Sequence, residues 1–176
     1  KNNSTMRKHR GVMAMTEVTN RVKDPWLIRL KPTVNCTGAL DGDAKYYTYT
    51  LTDPTQNGTI ECYNGNGTVG YVYYARFTCA DKAKVSLAWC YMIESNADWI
   101  AGVCQKESLM RLVMASGCPP LKLHHVGIYT MDDWQHLSEL HDKGELVEPW
   151  FAPPINDPGY GHVTTYQQWG EVNQGN

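Results

Sequence analysis

Val85-Ser-Leu-Ala-Trp-Cys-Tyr-Met-Ile93 alternates along its length: Val85, Leu87, Trp89, Tyr91 and Ile93 fall on one face, Ser86, Ala88, Cys90 and Met92 on the other. A side-chain period of two is the signature of a half-buried β-strand. Immediately upstream, Asp81-Lys-Ala-Lys84 reads as a turn, and Val69-Gly-Tyr-Val-Tyr-Tyr-Ala-Arg-Phe-Thr-Cys79 is long enough to be a central strand. The expectation is that residues 85–93 pair back onto it. Further upstream, Lys45-Tyr-Tyr-Thr-Tyr-Thr-Leu-Thr52 is dense in residues of high β propensity. Asp53-Pro54 and Asn57-Gly58 are turn signals, so Thr59-Ile-Glu-Cys-Tyr63 reads as the return strand of a hairpin, closed by Asn64-Gly-Asn-Gly67.

Downstream, Asp98–Cys104, Ser108–Ala115 and Leu121–Tyr129 continue the series. Nearer the start, Val12–Val22 fits a strand or a helix, and Trp26–Leu30, between Pro25 and Pro32, reads as a short strand. One helix is expected over 130–143. Thr130 can cap it, Asp132 and Asp133 suit its positive end, and Met131, Trp134, Leu137 and Leu140 form an apolar stripe. The predicted fold is a mainly β antiparallel sandwich or barrel of about eight strands, stapled by disulfides, with that helix near its end. Residues 1–12 form a polar basic arm, 13–148 the domain, and 149–176 a Pro/Gly/aromatic extension. That extension is too aromatic for a free linker, and is expected to lie along its own domain or a neighbouring copy.

The 176 residues are 42% hydrophobic and 19% charged, with a net charge of -2. This supports a single packed domain and offers no electrostatic basis for nucleic-acid binding. No apolar run is long enough for a membrane-spanning helix. The compartment is read from two other features. The six cysteines, Cys36, Cys62, Cys79, Cys90, Cys104 and Cys118, contain no Cys-x-x-Cys pair, and an even number at long gaps suits disulfides of open connectivity. Asn2, Asn3, Asn35, Asn57 and Asn66 each begin an Asn-x-Ser/Thr acceptor motif for N-linked glycans. Together they predict a secreted, extracellular or surface glycoprotein. The first residues, Lys1-Asn-Asn-Ser, carry no charged-then-apolar leader, so a signal peptide, if one existed, is expected to have been removed already.

Catalytic patterns are missing. There is no nucleophile elbow, phosphate-binding loop or dinucleotide fingerprint. His124 and His125 are adjacent and point to opposite faces of a strand. His136 and His141 are out of phase for a helical ligand pair. No catalytic residue, metal ligand or cofactor is assigned. The aromatics remain: eleven Tyr and six Trp against two Phe. Tyr47 and Tyr49 share a face, as do Tyr71 and Tyr73. With Trp150 and Trp169 of the extension they form the candidate interaction surface, since Tyr supplies contact area at low entropic cost.

The expected function is protein–protein contact by a non-catalytic extracellular glycoprotein. Its partners would be other chains, including copies of itself, in a fibre, a surface layer or a receptor complex. A second reading comes from element order. About eight strands followed by one helix is similar to a lipocalin barrel, which implies an extracellular carrier of a small ligand. The Gly-x-Trp signature of that family is replaced here by Asp24-Pro25-Trp26.

Overall fold

The computed structural model describes residues 12–63, 65, 68–156 and 164–172. The strands in order are β1 (Val12–Asn20), β2 (Thr33–Val34), β3 (Cys36–Leu40), β4 (Tyr47–Leu51), β5 (Gly58–Tyr63), β6 (Val72–Cys79), β7 (Val85–Leu87), β8 (Cys90–Ser95), β9 (Trp99–Cys104), β10 (Met110–Met114), β11 (Leu121–Tyr129) and β12 (Thr164–Val172). A helix, α1 (Met131–Asp142), follows β11. Six strands form one antiparallel sheet in the order β3-β4-β11-β6-β9-β8, and four form another in the order β2-β5-β10-β7. β1 and β12 pair antiparallel as a separate ribbon, Val12 opposite Val172 and Asn20 opposite Thr164.

The two larger sheets share one core. Tyr49, Tyr73, Phe77, Ile100, Leu121 and Leu123 of the larger sheet meet Ile60, Leu87, Met110, Leu112 and Met114 of the smaller. The mainly β expectation therefore holds, as a sandwich. The barrel alternative does not, because among the described residues both sheets keep open edges, at β3 and β8 and at β2 and β7. The reason lies in the connections. Two stretches that read as continuous or hairpin-like are corners at which the chain changes sheets.

The first corner is 52–57. β4 and β5 do not form the expected hairpin; β4 lies between β3 and β11, and β5 between β2 and β10. Asn35, at φ 51°, fixes this corner. Its Nδ2 donates to the carbonyls of Asp53, Gln56 and Asn57, and its Oδ1 accepts from the backbone N–H of Asp53. The second corner divides the stretch 85–93. β7 pairs with β10 and β8 with β9, neither with β6, and the turn between them holds Trp89 at φ 57°. Trp26–Leu30 is also not a strand: Leu27 sits at φ 53°, and its N–H donates to the Asp24 carbonyl in a turn.

One irregularity gives the larger sheet its second core. Along β11 the partner of Leu123 is Phe77 and that of His125 is Arg76, so His124 is an inserted residue. Such a bulge advances the side-chain alternation by one. Leu121 and Leu123 face the sandwich core before it, and Val126 and Ile128 face that core after it. His125 and Tyr129 thereby turn to the opposite face, beside Tyr74. On that face Val72, Tyr74, Trp99, Ala101 and Tyr129 pack against Trp134 and Leu137 of α1, Val18 of β1 and Trp150. Each such side chain contributes about 1.5–3 kcal/mol on burial.

α1 begins where its cap is expected, with Thr130 Oγ1 accepting the Asp133 N–H at 3.1 Å. Asn20, fully buried, ties three elements together. Its Oδ1 accepts from the N–H groups of Val22 and Ile128, and its Nδ2 donates to the Phe151 carbonyl. The expected disulfide staple is not shown: no two of the six cysteines lie at bonding distance in this structure.

Candidate functional site

Two places on the larger sheet concentrate chemistry. The first is a polar cluster beneath the segment that follows α1. β6 presents Tyr74 and Arg76 to the outer face, and the β11 bulge turns His125 toward them. Glu148 is brought over these three by the chain leaving the helix. Its Oε2 accepts from His125 Nε2 at 2.9 Å and from the Tyr74 hydroxyl, and pairs with Arg76 Nη1 at 3.3 Å.

Burial alone would raise the Glu148 pKa. The hydrogen bond and charge of His125, the Tyr74 hydroxyl and Arg76 outweigh it and hold the carboxyl below its ordinary range. Burial lowers the His125 pKa, partly opposed by Glu148. The imidazole is therefore neutral at pH 7, in the tautomer that donates through Nε2. Trp150 stacks on it at 3.7 Å between ring centroids, and Trp26 meets Trp150 edge-on at 4.8 Å. Both indoles are anchored, Trp150 Nε1 to the Val126 carbonyl and Trp26 Nε1 to the Pro153 carbonyl.

Glu148 Oε2 already has three partners, and the face of His125 is covered. The cluster is a fastening that holds residues 148–153 to the sheet.

The second place is the edge strand β8. Among the described residues its outer edge pairs with no strand. Tyr91 and Ile93 along it are 68% and 41% exposed, and Trp89, at the corner just before it, is 57% exposed. Lys106 Nζ lies 4.5 Å from the centre of a Trp89 ring. A bulky residue with positive φ is an uncommon, strained conformation. Trp89 combines that backbone with an indole exposed at the corner between the two sheets.

The expected interaction surface is placed differently. Tyr49 and Tyr73 are fully buried, and Tyr47 and Tyr71 are half-buried against the same core. β11 lies between β4 and β6, so the strands that carry these two tyrosine pairs are not neighbours. These residues fill the sandwich because two facing sheets need large inward side chains. Trp150 is likewise buried, in the fastening. Trp169 lies on β12 opposite Met15, with its side chain outside the described residues.

Of the acceptor asparagines, Asn57 is exposed, and its Oδ1 accepts the Ser116 N–H at 2.9 Å. Asn35 is half-buried, with its Nδ2 turned into the corner network. Asn2, Asn3 and Asn66 lie outside the described residues. Among the described residues no group of three or more His, Cys, Asp or Glu is arranged to hold a metal ion, and no helix is long and apolar enough to cross a membrane. A groove of about 220 Å³ is lined by Lys23, Arg29, Lys31, Asp24 and Glu61. Leu30, Pro32 and Tyr63 make its exposed lining mainly apolar, and its volume lies below the roughly 300–1,000 Å³ of small-molecule sites.

Sequence reasoning missed both places. Glu148 joins partners far away in sequence, and Trp89 reads as an inward residue of one long strand. The one available signal was the pair His124-His125, because adjacent polar residues inside an apolar run fit a bulge. Comparison with known protein families, curated proteins and solved structures finds no match for this chain.

Proposed function

We propose that this chain is an extracellular, N-glycosylated, non-catalytic protein that acts by protein–protein contact, its first partner being a second copy of itself. The observation that carries the reading is the exposed set Tyr91 and Ile93 on the open edge strand β8 with Trp89 at the corner before it. Two β8 strands related by a twofold axis meet antiparallel, so each supplies backbone partners for the other and the contact closes as a dimer. The aromatic side chains then lose water on both copies, and Tyr and Trp are the residues interface cores favour. The extracellular setting rests on the acceptor motifs and the even cysteine count.

Sedimentation velocity of the full chain, secreted from eukaryotic cells, tests this. The expected result is a concentration-dependent dimer that becomes monomeric when Tyr91→Arg and Ile93→Lys are combined, with the circular-dichroism spectrum unchanged. A wild-type chain that stays monomeric up to about 100 µM, far above the range of specific interfaces, overturns it.

A further inference from the structure

The six cysteines fall into three different situations. Cys79 ends β6 and Cys118 lies just before β11, the strand beside it. Their Sγ atoms are 3.8 Å apart, so a small side-chain rotation brings them to bonding distance, about 2.05 Å. Cys90 and Cys104 are direct Cα partners across β8 and β9. The backbone around them makes this a non-hydrogen-bonded pair. Cys104 uses its N–H and carbonyl on Tyr71 and Gly70 of the other neighbour, and Trp89 and Gln105 flank the cysteines with their own hydrogen bond. Residues so paired have Cα atoms about 4.5 Å apart and side chains on one face, inside the range that a disulfide spans.

Cys36 and Cys62 differ. Cys36 Sγ lies against Gly58 and 3.8 Å from Met114 Sδ, and Met114 is itself the Cα partner of Gly58. Cys62 is four residues further along the same strand as Gly58, about 13 Å at the strand rise. No side-chain rotation closes that gap.

We infer that the chain carries two disulfides, Cys79–Cys118 and Cys90–Cys104, with Cys36 and Cys62 kept as buried thiols. Exposure follows the same division. Each proposed pair joins one half-buried cysteine, Cys79 or Cys90, to one buried partner, whereas Cys36 and Cys62 are both buried. The half-buried thiol attacks an incoming disulfide such as oxidised glutathione, releasing one thiol and forming a mixed disulfide. The second cysteine then displaces the other half. One protein disulfide forms for each oxidant disulfide reduced to two thiols, which carry off both protons. Burial pushes the Cys90 and Cys118 thiols up to about 12, so both bonds close fastest during folding, before the sheet is complete. The inference stands on cysteine geometry and is independent of the proposed dimer.

The test is disulfide mapping of the full chain refolded in a buffer of reduced and oxidised glutathione. Free thiols are alkylated with iodoacetamide under denaturing, non-reducing conditions, and the digest is read by mass spectrometry. Expected are cross-linked peptides joining Cys79 to Cys118 and Cys90 to Cys104, with Cys36 and Cys62 alkylated. Without denaturant those two should resist the reagent. A linkage to Cys36 or Cys62, a different pairing of the other four, or the absence of either predicted bond overturns the inference. In Cys79→Ser/Cys118→Ser the Cys90–Cys104 peptide should persist. Its loss from the folded double variant would equally overturn independent formation of the two bonds.

Discussion

His125 Nε2 lies 2.9 Å from Glu148 Oε2, and through that contact the segment after α1 is fastened to the middle of the larger sheet. The contact is partly shielded from water, with only 7% of the His125 side chain and 15% of the Glu148 side chain exposed. Removing one partner of such a pair leaves the others without their shared acceptor. Glu148→Ala should cost about 2–4 kcal/mol in urea unfolding, and Glu148→Gln less, because the amide oxygen still accepts. A loss below about 0.5 kcal/mol for Glu148→Ala would mean the cluster is not a fastening.

Acid should loosen the same region. Burial lowers the pKa of His125, and it lowers that of His124 to about 4, with the charges of His125, Arg76 and Lys122 adding to the effect on His124 and Glu148 opposing it. The Glu148 carboxyl is also held below its ordinary value. A histidine with a depressed folded-state pKa favours folding while neutral. That advantage is lost as pH falls from the unfolded value of about 6.5 through the folded one. Glu148 changes stability in the same direction, in a lower window. The midpoint of urea unfolding should fall continuously from pH 7 to pH 4, and His124→Gln should flatten the curve. A midpoint independent of pH over this range would refute the assignment.

Trp89 should show opposed effects on stability and association. Its φ of 57° costs an L-residue on the order of 1 kcal/mol and costs glycine little. Trp89→Gly should therefore leave the thermal midpoint unchanged or slightly raised while weakening the dimer at least tenfold in sedimentation. A variant that loses several degrees of stability would show the indole to be a packing residue instead.

Glycan occupancy should differ between the two described acceptor sites. Asn57 is exposed, whereas the Asn35 Nδ2 donates to three backbone carbonyls of the corner. A sugar on Asn35 would disrupt those bonds. Peptide mapping after enzymatic deglycosylation in heavy-oxygen water should label Asn57 and leave Asn35 unmodified; full occupancy at Asn35 would contradict this.

The sequence made the strands legible where a single alternation covers a whole element, as at 110–114, and where a short apolar run marks a strand buried on both faces, as at 99–104. The helix was legible because Thr130, Asp132 and Asp133 mark its start. Corners were not. The alternation of 85–93 runs unbroken through Ala88 and Trp89, yet the chain changes sheets there, and pattern alone carries no signal of positive φ. Asp53-Pro54 and Asn57-Gly58 announce a turn without saying whether the strands on either side share a sheet. The fastening was hidden for a related reason. Tyr74, Arg76, His125 and Glu148 meet because the ladder skips His124 and so turns His125 to the outer face, and a bulge is fixed by tertiary packing rather than by local preference.

β11 is a strand with two allegiances. Its first half is committed to one core and its second half to both. If His124 were deleted, Leu123 and His125 would be consecutive opposite Phe77 and Arg76, and the ladder to β6 would run unbroken, with Val126 and Ile128 still in the sandwich and His125 and Tyr129 still on the other face. The two cores are therefore held by pairing with β6 rather than by the number of residues in β11. The bulge takes one surplus residue out of the count, and His124 is the residue of that strand whose removal moves no other.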